Sequence, residues 1–419
     1  MSLLSRESQG RSSRALGLCL LLTVSLTGCS TVSDWFADDE ELEIRRLKPI
    51  EAKFEPRVSW DVSVGDGIDD YYSRLRPVFA YDRIFVADRH GEVVALDPES
   101  GKTVWEQDFA IFRDTGSLDF ISRLWDSGDS ARLAGLSAGN NLVFVGTENG
   151  LVLALSAENG ELVWEARVAG EVLAAPVLDQ NILVVNTGAG VLIGLNADTG
   201  EQLWSHETDV PPLTLRGISA PSAANGGVLV GTPSGKLQVN ITENGLLAWE
   251  TAITQPAGAT ELERIVDVDS APLVYGGIVY VVSYDGSLAA VELRSGRLIW
   301  KREYASYRNI ALGTNSLFVV DNNSNVYALD RRNGVELWSQ GSLKKRALTA
   351  AEPVGKYIVV GDHWGYLHWL DQETGEIVAQ LELGSDDEDE SVYVAPLKVG
   401  NDVVAITRDG VVARITVPE

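Results

Sequence analysis

One short sentence of sequence recurs along almost the whole chain and limits what it can fold into. Asn149-Gly150-Leu151-Val152-Leu153-Ala154-Leu155 reads as a strand. Ser156 to Glu161 reads as a polar turn, and Leu162-Val163-Trp164 begins a second strand ending on Trp. Gly91 to Trp105, Gly190 to Trp204, Gly235 to Trp249 and Gly286 to Trp300 repeat it. In each copy the second glycine follows the first by ten residues and the Trp follows four residues later. A further copy ends on Trp338 with Ser324 in place of its first glycine. A seventh keeps Gly365 and Gly375 but has Ala379 where the Trp belongs, and an eighth starts at Gly410 near the C-terminus.

A period of about 40 to 50 residues with roughly four short strands per unit predicts a β-propeller. A lone four-stranded sheet cannot bury both faces, so each blade needs its neighbours. The glycines suit the tight hairpin turns. A Trp at a fixed place can wedge between blades, its N–H seeking a backbone acceptor. Trp60, Trp105, Trp164, Trp204, Trp249, Trp300 and Trp338 are therefore read as blade-docking architecture rather than a cofactor box. Pro77, Pro176, Pro221, Pro272, Pro353 and Pro396 mark first strands, where a missing N–H is tolerated. Blades are expected to begin near residues 77, 138, 176, 221, 272, 309, 353 and 396. Arg57-Val58-Ser59-Trp60-Asp61 carries a Trp without preceding strands, while the last repeat has strands without a closing Trp. The N-terminal strand is thus expected to complete the last blade and close an all-β ring of eight four-stranded antiparallel blades, removing two exposed edges.

Composition excludes several functions. The 419-residue chain is 45% hydrophobic, enough for one large repeat domain. Its 34 Lys+Arg against 60 Asp+Glu give a formal charge of −26. This argues against nonspecific nucleic-acid binding and against basic contact with an anionic membrane. The only cysteines are Cys19 and Cys29, so the folded body has neither a disulfide framework nor a Cys metal site. His90, His206, His363 and His368 are scattered. His363 and His368 flank the Gly365 turn, but nothing completes a zinc pattern. No metal is expected.

The N-terminus reads as a targeting segment. Arg6, Arg11 and Arg14 precede a largely apolar run from Ala15 to Leu26, too short to span a bilayer comfortably. Leu26-Thr27-Gly28-Cys29 resembles a bacterial lipobox, which implies cleavage before Cys29 and its lipidation. The alternative is an ordinary secretory signal with an incidental Cys. Ser30 after the Cys implies sorting to the outer membrane. The expected organisation is a signal peptide over 1–28, a lipidated Cys and acidic flexible linker over 29–53, and the propeller over 54–419. Losing 1–28 removes three arginines and Glu7, taking the charge from −26 to −28.

Function is sought where the repeat is interrupted. Phe109 to Leu133 is an insertion containing Trp125. Asp209 to Gly217 contains Leu213-Thr214-Leu215-Arg216. Ile253 to Asp269 ends Asp267-Val268-Asp269. Ser385 to Glu390 is a strongly acidic run, read as a solvated loop. Meander geometry puts the second and third interruptions side by side on one face. Exposed leucines beside Arg216 and two carboxylates fit the anchor-and-rim composition of a protein interface. They equally fit an Arg216–Asp267 or Arg216–Asp269 pair that braces the two loops.

The repeat Ala-Leu-Asp-x-x-x-Gly-x-x-x-Trp at Ala95 to Trp105 resembles that of quinoprotein (PQQ) dehydrogenases. With the lipobox it more closely resembles the BamB family of propeller lipoproteins from the outer-membrane β-barrel assembly machine. The resemblance spans the mature chain. It includes Val64-Gly65-Asp66-Gly67-Ile68 with Tyr72-Ser73 and Leu75, both interblade loops, and Gly365-Tyr366-Leu367-His368-Trp369. It implies a non-catalytic scaffold without cofactor, anchored on the periplasmic face of the outer membrane. The implied partners are the POTRA domains of BamA, bound through Leu213, Leu215, Arg216, Asp267 and Asp269, with other Bam lipoproteins reached indirectly. The 386–390 run and Ala379 depart from the family pattern and leave the seventh blade's outer edge open. Two other functions compete. A PQQ-dependent dehydrogenase would commonly stack its quinone on a vicinal disulfide, and no cysteine follows Cys29. A binder of nascent outer-membrane polypeptides would offer its outer strand edges for β-augmentation.

Overall fold

The computed structural model describes residues 43–109, 132–215, 217–257, 259–260, 262–384 and 390–417. The targeting segment with Cys29, the core of the 109–133 insertion, Arg216 and residues 385–389 lie outside them. The first 48 residues and residues 49–419 form two separate units, and the second contains the strands.

Thirty-two strands, numbered β1 to β32 in chain order, form eight four-stranded antiparallel sheets among the described residues. The first blade runs from β2 (Val78–Ala80) to β5 (Thr103–Asp108). Each following blade takes the next four strands. The second begins at β6 (Leu133–Gly139), a few residues ahead of the sequence reading, and the seventh ends at β29 (Ile377–Glu382). The last blade has the order β1-β32-β31-β30. Its outer strand β1 (Arg57–Ser63) pairs with β32 (Val411–Thr416), from Arg57 opposite Thr416 to Ser63 opposite Val411. The ring is closed by the strand from the beginning of the propeller. Pro77, Pro176, Pro221, Pro272 and Pro396 each stand just before an innermost strand, whereas Pro353 sits within its own, Glu352–Val354. These strands pair on one side only, so the missing N–H disrupts no ladder there.

The recurrent Trp works across the blade boundary. In β9 (Leu162–Arg167) Trp164 lies opposite Ala154 of β8 (Leu151–Ser156), and Val163 is the extra residue of a bulge. Such a bulge increases local twist and re-aims the side chain beside it. Trp164 Nε1–H donates to Ala197 O of the next blade at 2.8 Å. The same donation joins Trp105 to Ala157 O and Trp204 to Thr242 O. It joins Trp249 to Leu293 O, Trp300 to Arg331 O and Trp338 to Gln372 O. Across the closure Trp60 donates to Pro98 O. The acceptor always lies in the turn that carries the second glycine of the following repeat. At Gly160, with φ of +75°, a Cβ would stand 2.5 Å from Trp105 Cε3. The glycine of one repeat therefore makes room for the Trp of the repeat before it. Ser324, where glycine is replaced, holds φ of +66°.

The seventh blade, whose outer edge the sequence leaves open, keeps its indole but moves it. Ala379 lies directly opposite Trp369 of β28 (Tyr366–Asp371), where the first six blades place Gly, Ala or Val239 opposite the Trp of the outer strand and the last places Arg414 opposite Trp60. Trp369 is fully buried, and Phe54 meets it edge-on with ring centroids 6.3 Å apart. Lys53 N–H donates to Val378 O at 2.8 Å, which fixes the segment that delivers Phe54. Exchanging large and small residues across one pair preserves the packed volume.

Residues 64–76, joining the last blade to the first, cross the central channel. Ile68 N–H donates to Arg408 O, and Tyr393 Oη–H to Leu75 O. Arg74 reaches the far side of the ring, donating to the carbonyls of Ile218, Asp269 and Tyr307. These belong to three successive interblade connectors.

Candidate partner-docking site

In every blade the connector from outer strand to next inner strand shares a face with the turn between the second and third strands. The connectors 208–221 and 253–272 flank the fourth blade, β14 (Ser222–Ala224) to β17 (Leu247–Ala252), on that face. Leu213 is 41% exposed at the tip of the first, Leu215 is half-buried, and Val210 is exposed nearby. Leu262, in a 3-10 turn of the second connector, is 73% exposed. Arg216 lies outside the described residues.

The two carboxylates expected at the surface are beneath it. Asp267 and Asp269 are 1% and 3% exposed. Asp267 Oδ2 accepts the Leu215 N–H at 2.6 Å, while its backbone carbonyl accepts from Tyr284 N–H. Asp269 packs against Gly217, where a Cβ would stand 2.1 Å from Oδ2. The backbone oxygen of Asp269 accepts from Arg74 at 2.6 Å. Burial is the reason: Val266 and Val268, on either side of Asp267, are themselves core residues and draw this stretch inward. Burial pushes the Asp267 carboxyl up to about 7, against the Leu215 N–H and with help from the Asp269 charge. Burial also raises Asp269, and Arg74 opposes it. The segment is thus a brace, holding the Leu213–Leu215 loop by its backbone.

Arg74 completes that brace, and sequence reasoning missed it. Its Nε donates to Tyr72 Oη at 3.0 Å, so the guanidinium is fixed from both sides. The signal available was a cation next to two tyrosines in a strandless connection. A cavity of about 260 Å3 lies under the loop, lined in part by Val210, Leu215, Ile218 and Asp269. Among the described residues no group of three potential metal ligands occurs, and no helix is long and apolar enough to cross a membrane.

A family model described as outer membrane protein assembly factor BamB matches residues 122–340. A second, for the β-propeller domain of glucose, ethanol and alcohol dehydrogenases, matches residues 57–172. An outer membrane protein assembly factor BamB from Alteromonas naphthalenivorans is 66% identical over 97% of this chain and 98% of its own length. The Escherichia coli K12 protein of that name is 39% identical over 95% and 97%. The crystal structure of BamB from Moraxella catarrhalis superposes with a TM-score of 0.74 at 23% identity, covering 86% of this chain and all of that one. A quinohemoprotein alcohol dehydrogenase from Comamonas testosteroni reaches 0.64 at 14% identity, over 90% of this chain and 80% of its own. At these identities the two structures show a shared propeller fold.

Proposed function

Since this chain belongs to the BamB family of outer-membrane protein assembly factors, we propose that its ring docks the periplasmic POTRA domains of the barrel-forming subunit BamA. It is a non-catalytic scaffold. One observation carries the docking reading: an exposed leucine, Leu213, stands on a loop that buried Asp267 holds by the Leu215 amide. Leu213 and Leu215 supply apolar contact and Arg216 a charge, while Asp267 and Asp269 act from below by fixing the loop. A fixed loop loses little freedom on binding, which favours affinity. Lipidation of Cys29 would tether the ring to the periplasmic face of the outer membrane, and other Bam lipoproteins would be reached through the shared partner.

The test is calorimetric titration of residues 30–419 with the periplasmic domains of the same organism's BamA, beside Leu213→Asp and Arg216→Glu. Binding by the parent and its loss in both variants, with circular dichroism unchanged, supports the reading. Equal binding by all three moves the site elsewhere on the ring.

A second reading has its own observation. The outer strands expose apolar pairs ahead of or beside the docked Trp, among them Leu162 with Val163, Leu298 with Ile299, and Val335 with Leu337. Each outer strand pairs on one side only, so its free edge could receive an extended polypeptide. Crosslinks to nascent outer-membrane proteins without BamA would support this, and their absence would count against it.

A further inference from the structure

The channel beneath the 64–76 crossing holds a cavity of about 720 Å3, within the range of small-molecule sites. Its charge is opposite to that of the chain. Arg74, Arg76, Arg308, Lys398 and Arg408 line it, with Glu352 as the one carboxylate among the described lining residues. The chain as a whole carries −26. Glu352 pairs with Arg76 at 2.8 Å, and burial lifts its carboxyl above the ordinary range although Arg76 opposes the shift.

Most of the remaining cations are held without being neutralised. Arg408 donates to the carbonyls of Asp69 and Tyr71. Arg308, 8% exposed, donates to the carbonyls of Leu348 and Asp321. Arg74 likewise binds carbonyls. A carbonyl fixes a guanidinium in place but contributes no net charge. Asp269 and Asp321 act on Arg74 and Arg308 from behind the wall, and neither lines the cavity. Lys398 is exposed, and its charge joins that of Arg76 in opposing the rise of the Glu352 carboxyl. Tyr71 and Tyr72, 45% and 49% exposed, keep the cavity in contact with solvent. Like charges in a low-dielectric recess focus their field on whatever anion enters.

We propose that this cavity binds a small organic polyanion, one bearing two or more carboxylate or phosphate groups. The acidic exterior repels large anions, and the cavity volume limits the ligand to a small one. The site shares Arg74 with the brace of the Leu213 loop, but its ligand and its test do not depend on the docking reading.

The experiment titrates citrate and, separately, pyrophosphate into the full chain in non-ionic detergent at low ionic strength, by calorimetry. Saturable binding of at least one is expected at a single site, and comparison of the two distinguishes carboxylate from phosphate preference. Lys398→Glu, which removes a cation that acts on Glu352 across the cavity, should weaken it at least tenfold with circular dichroism unchanged. Arg297→Glu, on an exposed outer turn, should leave it unchanged. The proposal is overturned by no saturable binding, by equal weakening in both variants, by no weakening in Lys398→Glu, or by binding of a hexaglutamate peptide alone.

Discussion

Replacing Asp267 with asparagine should flatten part of the pH dependence of stability. The parent carboxyl has an ordinary value of 3.8 and is pushed by burial to about 7 in the fold. Between those values the folded chain holds a proton that the unfolded chain has released. Stability from this position is therefore full below about 3.8, falls as pH rises, and levels off above 7. The whole span corresponds to ~4 kcal/mol against folding once the group is ionised. From pH 5.5 to 8 the loss is about 2 kcal/mol. The substituted amide cannot ionise, and its oxygen can still accept the Leu215 N–H that Asp267 Oδ2 accepts. Asp269, raised by the same burial, is present in both proteins, and its charge is one of the causes that lift Asp267 in the parent. Urea unfolding of both at pH 5.5, 7 and 8 measures it: Asp267→Asn should gain about 2 kcal/mol on the parent over that interval. Parallel pH profiles would refute the placement of an ionisable Asp267 in the dry base of the loop.

Four further outcomes follow from the geometry. Trp164→Ala removes a buried indole and its bond to Ala197 O, and should lower unfolding free energy by ~3–5 kcal/mol in chemical denaturation. Gly200→Ala introduces a Cβ 2.5 Å from Trp164 Cε3 at φ of +72°. It should cost more than the ~1–2 kcal/mol of the backbone conformation alone. Trp369→Ala should destabilise comparably to Trp164→Ala, and adding Ala379→Trp should restore part of the melting temperature because the two positions face one another. Leu213→Asp should weaken binding to the POTRA domains at least tenfold in calorimetry, with the melting temperature unchanged, since the side chain is exposed.

The ring was legible because its grammar is local. Strand, turn and Trp lie within one repeat, and prolines mark where six of the eight blades begin. The closure was legible because each end of the chain lacked what the other carried. What the spacing did not reveal was reach across the structure. The seventh blade's displaced indole required knowing that Trp369 faces Ala379 across a strand pair. Arg74 acts on connectors more than a hundred residues away. The carboxylates of the candidate site were named correctly as neighbours of the Leu213 loop. Their burial followed from Val266 and Val268 facing the core, which the interruption of the repeat concealed.

The joining of β1 to β32 also makes the ring a record of whether synthesis was finished. Residue 57 waits for residue 416, so a product released early keeps an unmated strand at its front and a gap at its end. Nothing upstream can hide that defect, because the eighth sheet draws strands from both termini of the propeller. Such a fragment displays an unpaired strand and a blade face without its neighbour, features that invite proteases and misassociation. Completion and concealment thus coincide in one step, and a damaged message should yield either a whole ring or a disposable one.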